Sequence, residues 1–89
     1  MGYGVVIVSL LTLVFMQPPI IGQMIKLELE RQERSVSWFA RKLSYDRSNI
    51  YRLFQKDNID TLTLMRISRI LQHNFFLDMA DLLNDASEE

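Results

Sequence analysis

The residues of this chain best equipped for recognition chemistry are Arg47, Ser48 and Arg52, which alternate with apolar Ile50, Leu53 and Phe54 over a stretch short enough to be one helix. A guanidinium can donate two hydrogen bonds to O6 and N7 of a guanine, and a serine hydroxyl can reach a phosphate or a base edge. Asn49, Tyr51 and Gln55 lie in the same stretch and offer additional contacts, Asn49 to an adenine or to the backbone. Around it stand groups suited to phosphate: Ser35 and Ser37 through hydroxyl and backbone N–H, and Arg34, Lys42 and Lys56 through charge. Together these residues suit contact with double-stranded DNA.

Other chemistries find little support. The chain has no cysteine and one histidine, His73, so neither thiolates nor paired imidazoles are on hand for a metal. No carboxylate pair, no nucleophile beside a base and no glycine-rich phosphate cradle is present, which argues against an enzyme. We therefore expect no catalytic residue, no metal and no cofactor. The formal net charge of −1 at first opposes a polyanionic partner. Its distribution is uneven. Between positions 34 and 56, Arg34, Arg41, Lys42, Arg47, Arg52 and Lys56 face only Asp46, whereas Asp78, Asp81, Asp85, Glu88 and Glu89 near the end have no basic neighbour.

The elements that must position these groups are helical, because the apolar period after Pro18-Pro19 is helical throughout. At 89 residues the chain suits one domain. Five helices are predicted. The first, about 20–33, turns Ile21, Met24, Ile25 and Leu29 inward. Ser35 caps the second, in which Val36, Phe39, Ala40 and Leu43 recur at i, i+3, i+4 and i+7. After a break at Ser44-Tyr45, Asp46 caps a third helix running from Arg47 to about Gln55. Lys56-Asp57-Asn58 forms a loop, and Asp60 caps a fourth helix over 61–71 with Leu64, Ile67, Ile70 and Leu71 inward. Asn74 suits a left-handed stop. A last short helix is expected to bring Phe75 or Phe76, Met79, Leu82 and Leu83 to the core, followed by a frayed acidic tail over 85–89. Trp38 is read as a side contact to a neighbouring helix and His73 as a polar residue near a helix end. A phenylalanine exposed together with Leu82 would suit a dimer interface.

Two short helices joined by a three-residue break form the arrangement in which the second helix enters the major groove. The segment Ser35-Val36-Ser37-Trp38-Phe39-Ala40-Arg41-Lys42-Leu43, followed by Asp46-Arg47-Ser48-Asn49-Ile50-Tyr51-Arg52-Leu53, resembles the helix-turn-helix of the lambda-repressor-like, or XRE-type, family. Phe39-Ala40-Arg41-Lys42-Leu43 is similar to that family's Leu-Ala-x-x-Leu core, and Ile50 matches the residue that anchors its recognition helix. The likeness covers about Ile20 to Leu83, and its wording resembles that of short XRE-like proteins of Bacteroides-type bacteria. It implies an all-α, compact five-helix domain over 20–84, base reading by Arg47, Ser48 and Arg52, and a cytoplasmic, bacterial setting. Three positions depart from the family pattern: Ser44 for a turn glycine, Phe54 for an acidic residue and Lys56 for a glycine after the helix. Ser44 implies a turn that either needs no left-handed residue or tolerates one at some cost.

Residues 1–19 differ in character from the rest. The apolar run Val5–Met16 is shorter than the ~20 residues of a spanning helix, and no Lys or Arg precedes it as in a signal peptide. Met16 stands where the composition changes, so we expect a translation start there, with 1–15 a mis-called extension; a weak membrane anchor through residues 5–16 and a self-association segment are the alternatives. The function expected is a sequence-specific DNA-binding transcriptional regulator, a homodimer, reading the major groove with the helix over 46–55. A helical protein-interaction module, antitoxin-like or a regulatory partner, and a membrane-tethered regulator are the competing readings.

Overall fold

Residues 20–87 are described in the computed structural model, and five helices account for most of them: α1 Ile21–Arg31, α2 Val36–Leu43, α3 Arg47–Leu53, α4 Thr61–Leu71 and α5 Phe75–Ser87. No strand occurs among the described residues. The extension over 1–19 and the end of the acidic tail lie outside them. Of the stretch expected to form that tail, 85–87 continue α5 as helix.

Helix starts follow from short polar side chains that accept otherwise orphaned backbone N–H groups. Ser35 Oγ accepts from Trp38 N at 3.0 Å, and Asp60 accepts from Thr63 N at 3.0 Å. Asp46 occupies the expected place before α3 in extended backbone, but its carboxylate makes no capping hydrogen bond. Asn74 is not the left-handed stop: its Oδ1 accepts from Phe76 N and Leu77 N, so it starts α5, while Gln72 takes the left-handed conformation at φ 50°.

Three helices end in the same way. Glu33, Ser44 and Gln72 all have positive φ, and in each case that residue's N–H donates three residues back while the next donates five residues back. The five-back bonds are Arg34 to Leu29, Tyr45 to Ala40 and His73 to Ser68, which close the last turns in the Schellman pattern.

The core draws on every helix. Ile25, Phe39, Leu43, Ile50, Ile67, Leu71 and Phe75 are fully enclosed, joined by Ile21, Leu29, Ala40, Leu53, Phe54 and Leu64. Burial of each large side chain stabilises the fold by about 1.5–3 kcal/mol. Met24, Val36, Trp38, Ile70 and Phe76 pack on the margin. The expected inward turn of Met79, Leu82 and Leu83 is not observed: they remain 46, 42 and 71 % exposed. Phe75 and Phe76 serve the core at the start of α5, and among the described residues no further element lies over its later turns.

One buried carboxylate was not anticipated. Glu28, 8 % exposed, accepts from Arg31 Nε at 3.0 Å and from Gln32 Nε2 at 2.7 Å, and His73 Nδ1 lies 3.5 Å away. The other ring nitrogen of His73 meets Asp78 Oδ2 at 2.6 Å. This cluster ties the end of α1 to the α4–α5 turn and to α5.

Candidate nucleic-acid interface

The candidate surface is built on α3. Its inward side carries Ile50 and Leu53, with Phe54 just beyond its end, all between 0 and 3 % exposed. Every other residue of the helix, Arg47, Ser48, Asn49, Tyr51 and Arg52, is exposed. Tyr51 leans its ring edge-on against Phe54 at 6.3 Å and is 52 % exposed. The structure therefore brings the three expected base readers and two of the three additional residues onto one short helix. Gln55 is exposed but lies past the helix, which ends two residues earlier than expected.

The joint between α2 and α3 sets the angle at which this helix is held. Ser44 adopts φ 59°, ψ 41°, so the turn tolerates a left-handed non-glycine residue, and Asp46 resumes extended backbone before Arg47. At the other end of α3 no left-handed residue is used. Phe54 keeps right-handed backbone, Gln55 N and Lys56 N donate three residues back, and the freed carbonyls are taken up by α1. Gly22 N donates to the Lys56 carbonyl at 3.0 Å, and Gln23 Nε2 donates to the Phe54 carbonyl at 2.7 Å. This explains why position 56 does not need a glycine.

Gly22 itself is required by closeness. A Cβ there would stand 2.3 Å from the Leu53 carbonyl oxygen and 2.6 Å from that of Phe54. Gly22 and Gln23 escaped the sequence reading because nothing local marks a helical glycine as the seat of another helix's carbonyl end.

The residues expected to meet phosphate divide into two groups. Lys56 lines a cleft with Asn49, Arg52 and Thr63, between α3 and the start of α4. Arg34 and Lys42 line a different cleft with Trp38 and Arg69, across α2 and the end of α4. There the Arg34 guanidinium sits 4.6 Å from the centre of the Trp38 ring, a cation–π contact. Arg69 is an addition that the sequence reading missed. Ser35 Oγ accepts the α2 cap hydrogen bond while its O–H can still donate, and Ser37 is partly buried.

The ion pairs among the described residues involve only Arg31, Glu28, His73 and Asp78, so none of those residues is an acidic partner within 4.0 Å of Arg34, Lys42, Arg47, Arg52 or Lys56. Asp60 feels one of these cations weakly: hydrogen bonds from Thr63 lower its pKa first, and the charge of Lys56 contributes least. No helix among the described residues is long and apolar enough to cross a membrane. In comparisons with known proteins, no family model, no curated protein and no solved structure matches the chain.

Proposed function

We propose that this protein is a sequence-specific DNA-binding transcriptional regulator of the lambda-repressor-like helix-turn-helix type, with α3 as the helix that enters the major groove. One observation carries the reading: α3 is locked by Ile50 and Leu53 on one side and leaves Arg47, Ser48 and Arg52 exposed, with no ion pair to either arginine among the described residues. Arg47 and Arg52 read base edges, Ser48 reads a base or binds phosphate, and Lys56 with Arg34 and Lys42 neutralises the backbone. Two copies bind a two-fold operator as a homodimer, since one such helix reads only a few base pairs.

Binding-site selection from random DNA, followed by titration at several salt concentrations, tests this. Recovery of a sequence motif and a steep fall of affinity with salt are expected. Failure to bind any duplex at low salt would sink the reading. The exposed apolar side chains of α5 favour a protein-interaction module as the second reading, for which native mass with and without DNA gives the discrimination.

A further inference from the structure

Away from α3, one groove of about 340 Å³ is lined by Ile21 and Met24 of α1, Ile59 and Leu64 at α4, and Met79, Leu82 and Leu83 of α5. Its polar lining is confined to Asp57 and Asn58. Three large side chains of α5 remain more than two-fifths exposed along it, a contiguous apolar surface of the kind a folded domain seldom leaves to water.

The groove starts where α1 starts, and this points to its occupant. Only Gln17, Pro18, Pro19 and Ile20 separate Ile21 from the apolar run Val5–Met16. The five chain steps from Met16 to Ile21 reach at most ~18 Å, so the near end of the run cannot stray far from the groove mouth. The run has no charged side chain, which matches an apolar lining and gives an acidic or basic partner nothing to pair with. A tether this short holds the run at an effective concentration on the order of millimolar, above that of any second copy in dilute solution. We propose that the run Val5–Met16 docks into the α1–α4–α5 groove of its own chain. Residues 1–19 are then an integral cover for Met79, Leu82 and Leu83 rather than a membrane anchor. No residue of α3 lines the groove, so the inference stands apart from the DNA-binding reading.

The test is limited proteolysis of the full chain with chymotrypsin, whose sites in the run are Leu10, Leu11, Leu13, Phe15 and Met16. Cleavage there is expected to be slow, and equally slow across a roughly 100-fold range of protein concentration because the contact is intramolecular. The double variant L82K/L83K, which places lysines favourably toward the C-terminal end of α5, should speed it at least about tenfold. L62K, at a 78 % exposed position outside the groove, should leave it unchanged. Far-UV circular dichroism checks that the helices persist; if the double variant unfolds, L83K alone, at a 71 % exposed site, carries the test. The proposal is overturned by equal rates in wild type and groove variants, by an equal effect of L62K, or by protection that disappears on dilution. The last outcome would assign the groove to a second copy.

Discussion

Ser44 sits in left-handed backbone that costs a residue with a Cβ about 1–2 kcal/mol, held there by its own N–H donating to the Arg41 carbonyl and that of Tyr45 to Ala40. Glycine would release that strain and give back part of the gain as unfolded-chain entropy. S44G is therefore expected to stabilise the protein by about 0.5–1 kcal/mol, raising the thermal midpoint by a few degrees without altering binding. On the outer side of α3, R47A and R52A should each weaken the selected site by about 1–3 kcal/mol and relax specificity, read as competition against random duplex. K56A should lower all affinities alike and reduce the salt slope by ~0.9. Equal losses on every sequence for Arg47 and Arg52 would move them to the backbone class. Glu28 gives a pH dependence of defined sign. Its hydrogen bond to Arg31 holds the carboxyl below the ordinary glutamate range, with Gln32 and His73 acting in the same direction and burial opposing them. A depressed folded-state pKa contributes stability that is present above about pH 4.3, the unfolded value, and is lost as pH falls through the folded one. In urea titrations the gap between wild type and E28Q should narrow below that pH; a gap that stays constant into acid would remove the carboxylate from this role.

At the scale of elements, α3 is seven residues long and too short to be stable alone, so its position is a property of what holds its two ends. The α2–α3 joint holds one end, and the N-terminus of α1 holds the other through Gly22 and Gln23. G22A forces a methyl group against two backbone carbonyls that cannot rotate away. It should cost about 1–3 kcal/mol in urea unfolding and weaken DNA binding beyond that loss, because α3 must shift. A stability unchanged by G22A would show that α1 is free to move off α3. The helix starts at Ser35 and Asp60 were legible, since those side chains cap from within a few residues of sequence. The ends were not: Glu33, Ser44 and Gln72 take the place that a glycine would have advertised. Asn74 suits either a stop or a start, and Gln72's closure of α4 decides for the start.

For the whole molecule, charge is the governing quantity. The net charge of −1 sums a basic centre and an acidic end, and among the described residues the exposed cations of α2 and α3 form no ion pair while Asp78 is engaged by His73. On the proposed reading, affinity for duplex should be strongly salt-dependent, and neutral variants of Arg34 and Lys42 should flatten that dependence as Lys56→Ala does. At this scale the amphipathic period misleads for α5. It identifies an apolar face, but it carries no information about whether another element exists to cover that face.

The sequence by itself determined the all-α class, the five helices within two residues at nearly every boundary, and the inward set on α1 to α4, because capping and 3.6-residue periodicity are local physics. It also singled out the donors of α3, whose exposure follows once Ile50 and Leu53 are buried. Only the tertiary structure decided that Gly22 seats the end of α3, that Glu28 is buried beneath Arg31 and His73, and that Met79, Leu82 and Leu83 are left uncovered by the helices. Each of those depends on residues far apart in the chain meeting, or failing to meet, a partner, and no pattern along one helix encodes that.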